Sequence, residues 1–465
     1  MTFDIIVIIG YFLIILGISF KVNKTKPSEK DAITGGKGFG LITAAFGRTA
    51  NMAGGPATLG NGSYGFNQGI NGIWFSLANI FSMWLSAPFA SRIYRTMKAT
   101  DTFTIGGYIG YRFGRFSQVF AGLTNFLAYL GFVASNILAT GTVLSFILKL
   151  DLKFCVLVSM IIISLYTAFG GLKSVYLVNL FQISIMIVGF LCVLMPFTVD
   201  TVGGWGNMIN HLPQSHTKLN WGAFGNAFWS IILPTAVTGF TTQAGYIAIS
   251  SSKNRSVGWK STLLAGVIYG LIVFPILLVG AASSLIYPNA DASSILTFLI
   301  REFLPVGLTG LLAASIISAT MSTAASCTMN AITCLKIDVL QPFGISDQLQ
   351  NHWLRSRNLI MLTNFIAVCF ALLLPSVIKL LLIGYALATG GLLVPVFATI
   401  FWKRATPLGI KASMLIGGIS FIIVQTLFPQ IVPLLVSLPL SFIALILGSF
   451  LTPAQDFESI KDYFS

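Results

Sequence analysis

Charge is scarce in this sequence. Charged residues make up 9% of its 465 residues, whereas a soluble domain carries about 25%. Hydrophobic residues reach 55%, and the mean hydropathy is +0.86. Runs of roughly 20 apolar residues recur along nearly the whole chain, each long enough to cross a bilayer as a helix. The composition therefore predicts an all-α polytopic membrane protein, and the alternating ten-residue segments of a membrane β-barrel are missing.

Acidic residues are missing from the interior of these apolar runs. All 13 Asp and Glu residues lie in predicted loops or at the ends of runs, and the 3 histidines lie in loops. A proton-coupled carrier needs a titratable group along its path, and an intramembrane enzyme needs an acid, a base or a metal cluster at depth. We therefore expect no catalytic residue. Na⁺, which neutral carbonyl and hydroxyl oxygens can hold, is the expected coupling ion.

Paired cysteines are also missing. The chain has 5 cysteines, all inside apolar runs and without the spacing of a disulfide framework or a metal motif. They are interpreted as small core residues. No transition metal is expected, and the five positions are Cys155, Cys192, Cys327, Cys334 and Cys369.

Thirteen segments are long and apolar enough to span a membrane. The first has neither the basic leading residues nor the cleavage site of a signal peptide, so we expect it to be retained. The predicted spans are 2–20, 41–65, 72–91, 119–148, 154–171, 175–199, 223–248, 262–284, 306–335, 358–376, 379–402, 411–428 and 431–452.

The distribution of basic residues predicts the orientation. With the N-terminus outside, 21 of the 27 Lys and Arg residues fall on the cytoplasmic side, five fall outside, and Arg48 falls within a span. We therefore expect a protein of the cell (inner) membrane with its C-terminus in the cytoplasm. The net charge of +14 then faces anionic lipid, so it requires no nucleic acid as a partner.

Two of the predicted spans are interrupted at matching positions. In the second span the interruption is Asn51–Pro56, followed by Gly60–Gly62, and in the seventh it is Pro234 and then Gly239–Gln243. Paired broken helices in two halves of opposite topology are typical of a transporter site near the midplane, although a simple kink or close helix packing is the alternative. The predicted regions are 1–40, a first five-helix repeat at 41–199, an extracellular loop at 200–222, a second repeat at 223–402, and 403–465 with two further helices and a short tail.

The ninth span carries a row of small oxygen-bearing residues. Spacings of four, three and four place Ser315, Ala319, Ser322 and Ser326 on one helical face, with Thr323 beside Ser322. Two hydroxyls and a carbonyl one turn earlier form half of a small cation cage. The alternative is that these small residues serve only close helix packing.

Three segments resemble the sodium:solute symporters, the family of the proline, sodium/galactose, pantothenate and sialic acid carriers. Tyr166–Gln182 resembles the family stretch YTxxGGLxAVxWTDxxQ. Arg301–Pro305 through Ala319–Thr323 to Asp338 is similar to its AxMST helix with a closing Asp, and Gly390–Pro395 through Phe401–Arg404 is a weaker match. The resemblance implies the leucine-transporter 5+5 inverted-repeat fold, with one extra N-terminal helix and two extra C-terminal helices.

The resemblance also implies a sodium site between the two repeats. The carbonyls of Thr49 and Met52 would face the Ala319 carbonyl and the hydroxyls of Ser322 and Thr323. Two carboxylates of the family are absent, because Asn179 stands where the family has Asp and Asn51 where some members have Asp. We therefore expect one sodium ion per cycle and sodium-coupled uptake of a small organic solute by alternating access.

The solute is not identified by the sequence. An uncharged polar lining favours a zwitterion, a polyol-like solute or a small monocarboxylate held by helix N-termini. Arg48 is expected to extend toward the cytoplasm, with binding of an anionic solute as the alternative. Each candidate lining residue serves equally well as core or as a link between helices, and these candidates are Thr58, Phe75, Asn79, Asn136, Phe240, Thr241 and Gln243.

Two other functions stay open. One is a sodium-independent permease or exchanger on the same fold, and the other is a transporter-like sensor. The expected tail, 452–465, is too short for a signalling domain, which argues against the sensor. We expect the monomer to be the transport unit.

Overall fold

The computed structural model of the protein describes residues 2–24, 29–36, 38–220, 228–302, 305, 307–345, 355–374, 376–428 and 430–464. Within these ranges all the regular secondary structure is helical, and the single β-type contact is a parallel bridge between Phe39 and Ser252. The all-α prediction is confirmed. Residues 223–227, 306 and 375 of the predicted spans lie outside the described residues, as do residues 221 and 222 of the predicted loop.

The helices follow one another with short connections. The first eleven are α1 (Thr2–Asn23), α2 (Glu29–Thr34), α3 (Leu41–Ala50), α4 (Gly55–Gln68), α5 (Ile73–Ala99), α6 (Ile105–Phe113), α7 (Arg115–Leu148), α8 (Leu152–Ile187), α9 (Met195–Thr201), α10 (Gly204–His211) and α11 (Gln214–Thr217). The others are α12 (Leu233–Thr241), α13 (Gln243–Ser250), α14 (Arg255–Ile286), α15 (Ile295–Glu302), α16 (Leu308–Thr333), α17 (Ser356–Leu373), α18 (Val377–Phe401), α19 (Pro407–Leu427), α20 (Pro433–Phe450) and α21 (Phe457–Phe464). Wider π-helical turns occur at Val188–Leu194, Phe228–Ile232 and Cys334–Leu340.

Each predicted span coincides with helical structure. In the described ranges, 9 helical stretches are long and apolar enough to cross a membrane, and one of them, Gly55–Ala99, contains both α4 and α5. Two shorter apolar stretches, Ile6–Val22 and Ala388–Phe401, fall on the first and eleventh predicted spans. The number thirteen stays a prediction, because length and composition alone do not define a span.

The fifth and sixth predicted spans meet at a sharp bend inside α8. Gly171 has φ 60° and ψ −157°, in the region that favours glycine. A Cβ there would lie 2.4 Å from the carbonyl oxygen of Ala32 in α2. Glycine therefore allows the chain to reverse while it touches the short helix that follows α1.

Both predicted helix breaks are present, with one correction. The first separates α3 from α4 at residues 51–54, whereas Gly60–Gly62 are helical. The second is at Thr242, whose φ of −110° and ψ of 143° are extended. Pro234 does not interrupt the chain, so that part of the prediction is wrong. It closely follows the π-helical turn Phe228–Ile232, and Ile232 keeps helical angles (φ −70°, ψ −49°), so the helix continues through Pro234 and the wider turn accommodates the missing N–H.

Helix α16 lies at the centre of the bundle. Its most apolar window is 83% buried, the largest share among the candidate spans of the described ranges, and it packs against α1, α7, α8 and α17. A helix buried on all sides has neighbours for every side chain. The hydroxyls of α16 therefore face other helices and not lipid.

Candidate functional site

The first helix break lies directly against α16. The Thr323 hydroxyl donates a hydrogen bond to the Ala50 carbonyl at 2.5 Å, and the Asn330 amide donates to Asn51 Oδ1 at 2.7 Å. A Cβ on Gly54 would lie 2.9 Å from Thr323 Cβ. Since Ala50 lies between Thr49 and Met52, both parts of the predicted sodium site meet here.

The orientation of the hydroxyls suits a cation. Ser322 donates to the Ala319 carbonyl at 3.0 Å, and Thr323 donates to Ala50. A hydroxyl that donates its proton keeps two lone pairs on its oxygen. Both oxygens can therefore accept a cation without a change in their hydrogen bonds. Ser322 is fully buried and Thr323 is 4% exposed, so the site is well shielded from water.

Thr49 is fixed from both ends. Its carbonyl accepts hydrogen bonds from the Met52 and Ala53 amides at 2.9 Å each, and its hydroxyl donates to the carbonyls of Ala45 and Ala265. The turn after α3 is therefore closed by the Thr49 carbonyl itself. This oxygen has two lone pairs, and both accept an amide here, so a sodium ion at this carbonyl must share or replace one of these hydrogen bonds.

Asn179 faces the same side of α16. Its amide nitrogen donates to the Ser326 hydroxyl at 3.1 Å, and its Oδ1 is buried with no hydrogen-bond partner in the described part of the chain. An amide brings no net charge to this position. The carboxylate that the resemblance implies at this position is thus replaced by a neutral group beside Ser326, which lies one turn beyond Ser322 on α16.

A small cavity adjoins the first break. Its volume is about 20 Å³, which is room for about one water molecule. Residues from both predicted sets line it. They are Met52 and Thr323 from the sodium set, and Phe75, Asn79 and Asn136 from the solute set.

Two of these residues have distinct roles at the cavity. Asn136 Oδ1 accepts the Gly55 amide at 2.9 Å, so this side chain holds the start of α4. Asn79 donates to the Phe75 carbonyl, and its Oδ1 is buried with no partner in the described part. A buried unpaired oxygen beside a cavity is a group that a solute donor can satisfy.

The other four predicted solute residues point elsewhere. The Thr58 hydroxyl donates to Gly54 and Gly55 in its own helix. Thr241 is fully buried and does not line the cavity. Phe240 packs against Phe89 and Phe397 with ring centroids 5.9 and 5.0 Å apart.

Gln243 is occupied at both ends of its side chain. It accepts the Ile105 amide at 2.8 Å and donates to the Phe103 carbonyl at 3.2 Å. Thr104, which lies between Phe103 and Ile105, donates to Asp338 in the π-helical turn after α16. Gln243 therefore ties the second break to the loop before α6, and through it to α16.

Sequence reasoning missed part of the site on α7. Tyr129, Phe132 and Thr242 also line the cavity, and the Tyr129 hydroxyl accepts the Ala244 amide at 2.8 Å. The spacing of Asn125, Tyr129, Phe132 and Asn136 places them on one helical face. That spacing was available in the sequence, but only Asn136 was selected.

Arg48 does not extend to the cytoplasm, so that expectation is wrong. The side chain is 2% exposed. Its guanidinium donates to the Ser86 hydroxyl of α5 at 2.8 Å and to the Gly245 carbonyl of α13 at 3.5 Å. Helices α5 and α13 enclose it, and no carboxylate forms an ion pair with it among the described residues.

Known proteins resemble this chain in sequence and in fold. The model of the sodium:solute symporter family matches residues 33–417. The chain belongs to this family. It is 22% identical to the sodium/pantothenate symporter of Escherichia coli over 96% of both chains. It is 25% identical to the osmoregulated proline transporter of Bacillus subtilis, with 91% of this chain and 89% of that protein covered.

A solved structure agrees on the fold. A sodium-coupled sialic acid symporter, in a substrate-bound outward-open state, matches with a TM-score of 0.83 and 15% identity over 98% of both chains. The protein is therefore a multi-pass membrane protein with the leucine-transporter fold. As a member of this symporter family, it couples the uptake of a small organic solute to sodium by alternating access.

Proposed function

We propose that the coupling ion binds between the first helix break and α16. The ligands are the carbonyls of Thr49, Met52 and Ala319 and the hydroxyls of Ser322 and Thr323. The bond from Thr323 to the Ala50 carbonyl is the observation that carries this assignment, because it joins the two halves of the ligand set. All five ligands are neutral oxygens, which suit a hard monovalent cation.

One sodium ion per cycle follows from the same geometry. A second site near Ser326 would depend on a carboxylate at position 179, and this chain has an amide there, donating its proton to Ser326. The transport unit is the monomer, since the ion site and the cavity are built from one chain. The protein resides in the cell (inner) membrane with its N-terminus outside, and it is not an enzyme.

The two predicted repeats, 41–199 and 223–402, form the transport core. Sodium draws the turn after α3 against α16, which shapes the cavity beside Asn136. Solute and sodium then raise each other's affinity by the same factor, as linkage requires. Separation of the two elements in the inward-open form removes ligands and releases the ion.

The solute is a small carboxylate or zwitterion. The cavity lining is neutral, with Asn79, Asn136 and Tyr129 as hydrogen-bonding groups. The positive charges near it are Arg48 and the sodium ion, and the described helix breaks contain no acidic residue. The named solutes of the two curated relatives, pantothenate and proline, both carry a carboxylate.

The test is uptake into proteoliposomes with and without an inward sodium gradient. In Ser322→Ala and Thr323→Ala, we expect the sodium affinity to fall about 10- to 150-fold, since each change removes an oxygen that contacts a charge. A screen of carboxylates, amino acids, sugars and vitamins supplies the solute.

Ser315→Ala is the matched control. Its hydroxyl lies on the same helix about 10 Å away and donates to the carbonyls of Leu311 and Ile185. We expect normal sodium dependence. Uptake that needs no sodium, in the wild type and in both site variants, would identify a permease or exchanger and contradict the proposed site.

A further inference from the structure

A large apolar groove lies between α18 and α20, away from the transport site. Its volume is about 610 Å³, and ten apolar side chains line it, among them Phe397, Phe401, Trp402, Phe442 and Phe450. Phe401, Phe442 and Phe450 are each about half exposed or more. The groove therefore opens to the surroundings of the bundle, which for a membrane protein is the lipid.

One end of the groove is positively charged. The Arg404 guanidinium lies 5.4 Å from the centroid of the Phe450 ring. Its Nη2 donates to the Thr452 carbonyl at 2.8 Å, and its Nη1 is buried with no hydrogen-bond partner in the described part of the chain. Positions 402–406 contain Lys403 and Arg404 and no acidic residue. This end of the groove suits a negative group.

We propose that the groove binds an anionic phospholipid. One acyl chain lies along the aromatic wall, and the phosphate of the headgroup binds at Arg404. A ligand that both fills the apolar slot and pairs with the cation at its mouth must combine an apolar chain with a negative group. Basic pockets between transmembrane helices bind anionic headgroups in this way.

The groove is also connected to the second helix break. Phe397 packs on Phe240 with centroids 5.0 Å apart, and Phe401 packs on Phe89 at 4.9 Å. Phe240 lies one residue before the end of α12. A bound acyl chain thus supports the aromatic cluster on which α12 rests.

Trp402 provides a direct measurement, because it lines the groove. The full protein is reconstituted in phosphatidylcholine and titrated with phosphatidylglycerol or phosphatidylcholine carrying brominated chains, which quench tryptophan on contact. The chain has 8 tryptophans, so the Trp402 signal is the difference between the wild type and Trp402→Phe. We expect half-quenching by the anionic lipid at an about fivefold lower mole fraction, the factor that one basic side chain contributes.

Variants separate the headgroup from the chain. Arg404→Gln should remove the preference for the anionic lipid, and Ala398→Phe, which fills the groove, should weaken quenching by both lipids. Lys411→Gln is the control, since this ammonium lies over Phe116 of α7 and should leave the preference intact. Equal quenching by both lipids in the wild type would overturn the proposal.

Two further outcomes would also overturn it. One is a preference that survives Arg404→Gln, and the other is a Trp402 signal that no brominated lipid quenches, as expected if a second copy of the chain covers the groove. Should Arg404→Gln not fold, 1 M KCl replaces it on the wild type. The Debye length is then about 3 Å, and the preference should disappear.

Discussion

The two helix breaks differ in what holds them. At the first break, the contacts come from α16 and α7: Thr323 donates to Ala50, and Asn136 accepts the Gly55 amide. At the second break, the Asn125 side chain accepts a hydrogen bond from the backbone N–H of Gln243 and donates one to the Thr241 carbonyl. The Tyr129 hydroxyl accepts the backbone N–H of Ala244. At the first break, the Thr323 hydroxyl donates its proton and keeps its lone pairs for a cation. At the second break, side chains of α7 form hydrogen bonds with the backbone groups of the break itself.

This difference indicates a division of roles. At the second break the side chains of α7 bond mostly to backbone N–H groups, which cannot ligate a cation. Gln243 links this break to the loop before α6, so we interpret it as a structural joint. The first break is the proposed ion-binding element. Matching positions in two repeats therefore do not imply matching chemistry, and substitutions at the two breaks should change different measured quantities.

The largest effect is expected from crowding the first break. In Gly54→Ala, the new Cβ would lie 2.3 Å from Asn136 Oδ1 and 2.9 Å from Thr323 Cβ, which displaces the break from α16. We expect sodium affinity to fall about 10- to 100-fold, from an overpacking cost of about 1–3 kcal/mol. Gly239→Ala, which meets the Ser82 carbonyl at 2.1 Å, should lower thermal stability but leave the sodium affinity of the folded protein unchanged. The same loss of sodium affinity in both variants would remove the distinction.

Gln243→Ala should slow transport about tenfold, because it leaves the Phe103 carbonyl and the Ile105 amide without their partner at a cost of about 1–3 kcal/mol. Sodium affinity should stay within about twofold, since the ion site is untouched. Gln455→Ala is the control, because its side chain is also bonded at both ends, accepting from the Arg112 side chain and donating to the Arg112 carbonyl, and it contacts neither break. Uptake rates and sodium titrations on the same proteoliposomes check both parts, and a large loss of sodium affinity would contradict the structural role.

Arg48 belongs to α3 and bonds to Gly245 of α13, so it contacts both broken helices. Its substitution should have an intermediate effect that raises the affinity for one ligand and lowers the affinity for the other. Arg48→Gln removes a positive charge from the core, worth on the order of 1 kcal/mol across roughly 10 Å. Sodium affinity should rise about fivefold and carboxylate solute affinity should fall about fivefold. Ser86→Ala, which removes the hydrogen bond but keeps the charge, should show neither change. Equal falls for both ligands would show a packing role instead.

The smallest effect is expected at Thr58. Its hydroxyl donates within its own helix and does not line the cavity, so Thr58→Ala should change solute affinity by less than about twofold. Asn79→Ala is the counterpart with an unpaired oxygen at the cavity and should reduce solute affinity more. Binding measured by isothermal calorimetry separates the two, and the reverse order would place the solute elsewhere.

The sequence predicted the fold class and the oxygen face of α16 because both depend on period and composition. Thr323 meets the first break at Ala50, whereas Ser322 bonds within its own helix, so its contact with the ion stays a prediction from helical spacing. The solute set was harder, since Phe240 and Gln243 are directed by partners more than 100 positions away in the chain. Pro234 was misread because a helix can accommodate a proline next to a π-helical turn, here Phe228–Ile232, without leaving helical structure. Arg48 was misassigned because its enclosure by α5 and α13 is a tertiary fact.

The burial of Arg48 also has an electrical consequence. A charge held inside the bilayer gains or loses about 2.3 kcal/mol for each 100 mV that it crosses. Arg48 belongs to α3, the helix that carries the first break, so any movement of α3 between the two access states carries this charge through part of the membrane field. We expect a transient current on a voltage step even in sodium-free solution, and its absence in Arg48→Gln. The resting potential would then bias the empty carrier before any ligand binds.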